Sequence, residues 1–402
     1  MRPSARIAAL AALVVIAALS TQVSHAADTK TPSGGEIRTT ADALTGRYIV
    51  VLKDPAVAPV RETALRLARA HSARIRHTYN TVLRGYAAEM TPEQARATAD
   101  DPRVAYVEQD AELHGSATQN NPPSWGLDRI DQRNLPLDKS YTYPTTASNV
   151  TVYLVDSGLR TTHEQFQGRA SIGADEVGDG RNGQDCLGHG THVAGTVGGK
   201  DHGVAKGVKL VAVRVLNCND SASASSIIAA ADWITANAAK PAVVNMSING
   251  SRSGSEDDAI KKSIASGVTW VVSSGNDGKD ACNNSPGDIT SAIVVNNADS
   301  NDTRRSSSNF GRCTDLFAPG TGIVSAWNSG DTATHSLSGT SMAAPHVTGA
   351  AALWLSAHPN ATPADVQTAL TSSATPDKIR DAGSDTPNRL LYTGSTTAAA
   401  GR

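Results

Sequence analysis

Four polar residues have the types and settings that nucleophilic acyl chemistry requires. Ser341 lies where a polar, glycine-punctuated turn meets a small-residue run that reads as a helix, with Pro345 four residues on in the expected first turn. A serine at a helix start is surrounded by backbone N–H groups without intrahelical acceptors and sits over the positive end of the helix dipole. That setting suits a nucleophile whose attack generates an oxyanion, and equally an ordinary N-cap. A serine hydroxyl is a weak nucleophile and needs an adjacent base. His189, in Gly188-His189-Gly190-Thr191-His192-Val193-Ala194-Gly195, has the right acidity for that role, and Asp156, in Asp156-Ser157-Gly158, could fix its tautomer and stabilise the imidazolium. Asn276, in Ser273-Ser274-Gly275-Asn276-Asp277-Gly278, could donate its amide N–H to the oxyanion beside the backbone N–H of Ser341. One such donor is worth roughly 2.7–4 kcal/mol in the transition state. Each residue also has an ordinary role: a cap or turn aspartate, a structural histidine, a turn amide.

Positioning these residues is the task of the elements around them. Val150–Val155 is a nearly continuous β-branched run of the kind buried on both faces of a parallel sheet, and it ends at Asp156. Comparable runs recur at 210–216, 242–246 and 268–273, alternating with helical stretches at about 189–198, 223–239, 256–266 and 341–357. Alternating β and α elements predict an α/β fold built on a doubly wound parallel sheet. In such sheets, polar residues just past the strands' carboxyl ends tend to be functional. Asp156, Ser247 and Asn276 all hold that position.

The N-terminal part follows a different grammar. Arg2 and Arg6 precede the apolar run 7–19, followed by Ser24-His25-Ala26-Ala27, which predicts a secretory signal over 1–26 cut after Ala26. No later run reaches the roughly 18 apolar residues of a membrane span. Residues 28–46 are Thr/Ser/Gly-rich and read as disordered. Then come a strand at 48–52, an amphipathic helix over 59–79, an extended segment at 82–90, a helix opened by Thr91-Pro92-Glu93, and a last strand at 104–107. Residues 114–124 read as an exposed linker, and the chain after about Leu391 as a frayed tail. A net charge of −2 provides no electrostatic footprint for nucleic acid or an anionic membrane.

Taken together, Asp-Ser-Gly at 156–158, GHGTHVAG at 188–195, SSGNDG at 273–278 and GTSMAAPHV at 339–347 resemble the subtilisin-like serine proteases, the subtilases. The order Asp, His, Ser is that family's and not that of the chymotrypsins or α/β-hydrolases, and no G-x-S-x-G elbow surrounds Ser341. Residues 125–132 and the cysteine spacing look most like the proteinase K branch, particularly aqualysin-type enzymes. Residues 48–113 resemble the inhibitory propeptide of such proteases, a ferredoxin-like α+β unit that assists folding and is removed autocatalytically.

The resemblance implies a secreted, monomeric endopeptidase for protein and peptide substrates, with the propeptide over 27–116 as its own inhibitor. The peptidase domain would span 117–392 and a flexible tail 393–402, with self-cleavage near Ser116–Ala117. It implies Asp156, His189 and Ser341 as triad, Asn276 as oxyanion donor, and no cofactor for catalysis. His163, His192 and His346 are expected to be structural. Substrate would add as a strand between 219–223, including Asp220, Ser221 and Ala222, and Ser247-Ile248-Asn249-Gly250. Asp220 and Asn249 depart from the family's glycines and are expected to narrow the cleft.

Four cysteines, at 186, 218, 282 and 313, allow three pairings, and export favours disulfides over zinc, for which no C-x-x-C spacing exists. The resemblance implies Cys186–Cys218 and Cys282–Cys313. It also implies structural calcium. One site would use Asp128, Asp131, Gln132 and Asp138, a cluster rich in oxygen donors. A second would use Thr290, Ala292 and Asp315. Two rival functions stand beside this one: a catalytically silent binding module on the same fold, against which the complete constellation argues, and an acyl hydrolase on another fold, against which the missing elbow argues.

Overall fold

The structure, a computed structural model, describes residues 35–39, 43–53, 59–111 and 116–394. The signal-peptide expectation therefore lies outside the described residues. The chain divides into two compact units, one built mainly from residues 48–107 and the other from 38–47 together with 108 onward.

In the N-terminal unit a five-stranded sheet has the order Ile37–Arg38, Val104–Ala111, Ala43–Leu52, Gly85–Glu89, Arg74–Tyr79. The helices Val60–Ala70 and Pro92–Ala99 complete a β-α-β-β-α-β path, and its four main strands have the split ferredoxin-like order. Tyr48, Val50, Leu52, Leu67, Tyr86 and Val107 form the core. Two expectations are corrected here. The stretch 59–79 is not one helix: it ends at Ala70, Ser72 turns at φ 54°, and Arg74–Tyr79 pairs antiparallel with Gly85–Glu89. Cross-strand pairing overrides the helical spacing of its apolar residues. The segment read as disordered contributes the strand Ile37–Arg38 and the start of Ala43–Leu52.

The second unit is organised by a nine-stranded sheet. Its interior strand Thr151–Asp156 is flanked in parallel by Lys209–Arg214 on one side and Ala242–Met246 on the other. Ala170–Asp175 extends one side; Thr269–Ser273, Ile293–Ala298 and Leu316–Pro319 extend the other, all in parallel. Arg389–Leu390 pairs in parallel with Leu316–Pro319 and antiparallel with Thr375–Pro376, which closes that edge. The chain thus winds outward both ways from Thr151–Asp156, making its carboxyl end a topological switch point.

Successive residues of this strand serve opposite cores. Val152 and Leu154 pack with Val193 and Val197 of helix His189–Gly198 and Val347 of helix Thr340–Ala357. Tyr153 and Val155 pack with Ile227 and Ile234 of helix Ala224–Asn237 and Ile260 of helix Gly254–Ala265. Burial on both faces explains the continuous apolar pattern of these strands.

Two further expectations change. Within the stretch read as a linker, Ala117–Asn120 is a strand paired with Ser140–Tyr143. At the other end Thr393 is buried, its N–H donating to Ile130 O at 2.7 Å, so the expected tail is anchored at its first residue. Among the described residues no helix is long and apolar enough to cross a membrane.

Candidate active site

Asp156 closes strand Thr151–Asp156 and is fully buried. Its Oδ1 lies 2.7 Å from His189 Nδ1 and also accepts from Ser157 N at 2.7 Å. An ionised carboxylate accepts only, so Nδ1 carries the proton and Nε2 is left as the basic atom. Burial works to lower the His189 pKa, but the charge and hydrogen bond of Asp156, with smaller contributions from Asp220 and Asp185, hold it above the ordinary histidine value.

His189 opens its helix behind Gly188, whose φ of 98° is left-handed. A Cβ at that glycine would lie 2.4 Å from the Trp327 ring, so both backbone and packing require glycine there. The loop before it is shaped by Asp185, which sequence reasoning missed. Its carboxylate accepts from the N–H groups of Leu187 (3.0 Å), Gly188 (2.7 Å) and Thr191 (2.9 Å), and from the hydroxyls of Thr191 (2.6 Å) and Ser157 (2.9 Å). Ser157 Oγ in turn accepts from Gly190 N at 2.9 Å, fastening the turn after Asp156 to the histidine's helix. Arg214, fully buried, donates to Ser157 O at 3.2 Å and holds Asp175 and Asp179 behind it. An aspartate followed two and three residues later by backbone donors is an Asx-turn pattern, the one signal that could have found Asp185.

Ser341 is the second residue of helix Thr340–Ala357. Pro345 is the sixth, beyond the first turn where it was expected. Lacking an N–H, Pro345 leaves the carbonyl of Ser341 without its i→i+4 partner. Ser247 Oγ donates to that carbonyl at 2.9 Å, and Ser341 Oγ donates to Ser247 O at 3.1 Å. The proline thus creates the acceptor that ties the serine to the Ser247–Gly250 segment.

Asn276 follows Gly275, whose φ is 106°. Its Oδ1 accepts from Thr340 N at 2.9 Å and Thr340 Oγ1 at 3.1 Å. The backbone N–H is an obligate donor, so the facing atom must be oxygen, and the NH₂ group is left at the helix N-terminus beside Ser341. Thr340, also missed from the sequence, is what aims this amide.

His163, His192 and His346 each bond a backbone carbonyl, at 2.8 Å to Ala333 O, 3.0 Å to Ile323 O and 2.9 Å to Met342 O. Burial pushes His192 down to about 3 and His346 to about 4, so both are neutral packing groups.

The segments expected to receive substrate are differently built. Residues 217–221 form a turn with Asp220 at φ 58°, in which Ser221 N donates to Asn217 Oδ1 at 3.2 Å and Asn217 N to Ser221 O at 3.0 Å. Ala222 is half-buried before the capping residue Ser223. Ile248 packs against the second core, and Gly250 already pairs with Ser285. Asn249 does not project into open space: its Nδ2 donates to Ser273 O at 2.6 Å and its Oδ1 accepts from Ser273 Oγ at 2.6 Å. It braces this segment against the end of strand Thr269–Ser273.

Both disulfides are formed in the structure, Cys186–Cys218 and Cys282–Cys313, with Cα atoms 5.3 and 5.4 Å apart. The first joins the His189 loop to the turn at 217–221.

For a cation, the residues can be tested chemically. Asp131 Oδ1 is buried without a hydrogen-bond partner, and burial pushes this carboxyl up to about 6. Asp128, raised by burial too, accepts from Asp138 N and Lys139 N, and Gln132 Oε1 accepts from Asp138 N. Asp138 is turned onto Ser140. Among the described residues no three acidic, His or Cys side chains converge closely enough to hold a metal. The set nevertheless fits a hard ion in donor type, and the orphaned Asp131 oxygen is the atom such an ion would satisfy. At the second expected site the oxygens do converge: Thr290 O, Ala292 O and Asp315 Oδ1 face one point. That point is held by the side-chain amide of Gln367, so the residues present do not fit an ion there.

A doubly wound sheet with a buried Asp–His pair at its switch point, and an amide aimed over a serine at a helix start, defines a serine hydrolase of the subtilisin architecture. The subtilase family (peptidase S8) matches residues 147–394, more than half the chain, and peptidase inhibitor I9 matches 47–115. This chain belongs to the subtilase family. It is 48% identical over 403 residues to an extracellular serine proteinase of Thermus sp. (strain Rt41A), covering 96% of this chain and 98% of that protein. It is 42% identical to alkaline serine exoprotease A of Vibrio alginolyticus, over 87% of this chain and 68% of the other. Among solved structures it resembles a cold adapted subtilisin-like serine proteinase, with TM-score 0.65 and 47% identity, covering 67% of this chain and 97% of that one.

Proposed function

We propose that this chain is a secreted serine endopeptidase, made as a zymogen, in which Asp156, His189 and Ser341 form the triad and Asn276 donates to the oxyanion. The observation that carries the reading is the 2.7 Å bond from His189 Nδ1 to Asp156, which leaves Nε2 as the base. In acylation, Ser341 Oγ attacks the scissile carbonyl carbon and His189 Nε2 takes the hydroxyl proton. The tetrahedral oxyanion accepts from Ser341 N–H and Asn276 Nδ2–H. His189 then gives its proton to the leaving amine, and the C–N bond breaks. Water repeats the sequence on the ester, and its proton passes through His189 back to Ser341 Oγ. Asp156 stays ionised throughout and stabilises the imidazolium.

Substrate is a protein or peptide segment lying between 220–222 and 247–250, and the enzyme acts as a monomer without nucleic acid or membrane. The extracellular location is supported by the predicted signal over 1–26 and by the extracellular Thermus relative. Domain limits are proposed at 27–116 for the propeptide and 117–392 for the peptidase. Calcium is proposed as a structural ion held by Asp128, Asp131, Gln132 and Asp138, where it would neutralise the buried carboxylate of Asp131. No catalytic cofactor takes part.

The test is labelling of the purified mature chain by an organophosphonate serine reagent. Stoichiometric labelling that Ser341→Ala abolishes is expected; equal labelling of the two proteins would sink the assignment.

A further inference from the structure

Gln367 stands on helix Pro363–Ser373. Its Nε2 lies 3.1 Å from Thr290 O, 3.1 Å from Ala292 O and 3.0 Å from Asp315 Oδ1. One nitrogen therefore serves all three oxygens that the family resemblance would give to a calcium ion. An amide nitrogen carries two hydrogens, so three acceptors at nearly equal distance exceed its ordinary pairing. The oxygens look positioned for a central charge.

Other forces hold them in place. Asp315 Oδ2 accepts from Val294 N at 2.8 Å, and Asp315 N donates to Val294 O at 2.9 Å. Ala292 N donates to Ile289 O at 3.0 Å. The cage thus belongs to the loop before strand Ile293–Ala298 and the entry to strand Leu316–Pro319. Gln367 arrives from a separate element and fills it. Calcium requires six to eight oxygens at about 2.3–2.6 Å. An NH₂ group at the centre occupies that volume and presents hydrogens to the same oxygens, so amide and ion exclude each other.

We infer that the Gln367 amide replaces a calcium ion in this protein, bracing helix Pro363–Ser373 to the 290–292 loop and Asp315 without metal. The opposite orientation, with Oε1 turned inward, would set a fourth acceptor against three and could persist only around a bound cation. That makes Gln367 either a substitute for the ion or one of its ligands, and the two alternatives give opposite ion counts. The inference does not rest on the catalytic assignment.

The test counts calcium ions by isothermal titration on chelator-stripped full-length chain carrying Ser341→Ala, which cannot digest itself. Against that parent, Asp315→Asn is expected to bind the same number of ions, and Gln367→Ala to bind one more. Gln367→Glu, which puts a second carboxylate beside Asp315, is expected to gain one ion and to show a larger calcium-dependent rise in Tm than the parent. If Gln367→Ala does not fold without metal, Gln367→Glu folded in calcium carries the count. Loss of one ion in Asp315→Asn or in Gln367→Ala, or no gain in either Gln367 variant, would overturn the inference.

Discussion

Replacing Asp156 by Asn separates charge from shape at the bond on which the proposed mechanism depends. The carboxylate holds the His189 pKa above the ordinary value against the opposing effect of burial. The base must be neutral to act, so activity is lost as pH falls through that raised pKa. Asp156→Asn removes the opposing charge, burial then dominates, and the acid limb of kcat/KM should move to lower pH while the rate falls by about 10⁴-fold. A pH–rate profile with an unmoved acid limb would show that another group controls it. Asn276→Leu keeps side-chain volume but removes the donor aimed by Thr340; kcat should fall by about 100- to 1,000-fold with KM little changed. Steady-state kinetics on a peptide substrate distinguish this from a binding defect, which would appear in KM.

At the scale of elements, the disulfides are expected to differ in consequence. Each closes a loop of just over 30 residues (separations 32 and 31), worth about 3–4 kcal/mol in the chain-entropy model. Cys186 is three residues from His189, and Cys218 borders the turn at Asp220, with Arg214 against both sulfurs. Cys186→Ser with Cys218→Ser should therefore lower both Tm and kcat/KM, and Cys282→Ser with Cys313→Ser chiefly Tm; equal kinetic losses in the two pairs would contradict this. Helix Gly254–Ala265 carries a different cost. Glu256 is buried in its first turn, and burial, with the charges of Asp257 and Asp288, pushes its carboxyl up to about 7. An acid whose folded pKa is raised keeps its proton where the unfolded chain has lost it, so stability falls between about pH 4.5 and 7, and the cost is complete above that. At about 1.4 kcal/mol per pH unit, Glu256→Gln should stabilise by up to on the order of 3 kcal/mol at pH 8 and by little at pH 4. Urea unfolding at both pH values in the Ser341→Ala background measures the difference.

For the whole molecule, maturation is the integrating test. The chain carries an inhibitor I9 unit ahead of its subtilase domain, and the proposed zymogen would mature by cutting itself. Ser341→Ala should accumulate as uncut precursor, while the unaltered chain yields a product beginning near Ala117. Intact-mass measurement of both reads this directly, and full maturation of Ser341→Ala without added protease would show that processing is done in trans by another enzyme.

Local signals were enough to propose Asp156, His189, Asn276 and Ser341 as the site, and for the parallel sheet, because each lies in a short segment whose residue types answer a backbone requirement. Gly188 and Gly275 permit positive φ, Pro345 cannot continue a hydrogen-bond ladder, and β-branched runs fill strands buried on both faces. The strand at Arg74–Tyr79 was not legible, since its partner Gly85–Glu89 and not its own spacing decides it. Asp185, Thr340, Asn249 and Gln367 share that dependence. Aspartate, threonine and amide side chains are common and promiscuous in their bonds, so their roles exist only once remote segments meet: Thr340 with Asn276 across 64 positions, Gln367 with Thr290 across 77. Sequence alone determined which residues could do acyl chemistry. Tertiary structure decided how each is aimed, and that an amide now stands where the resemblance would place a cation, because packing brings those partners together and spacing along the chain does not encode it.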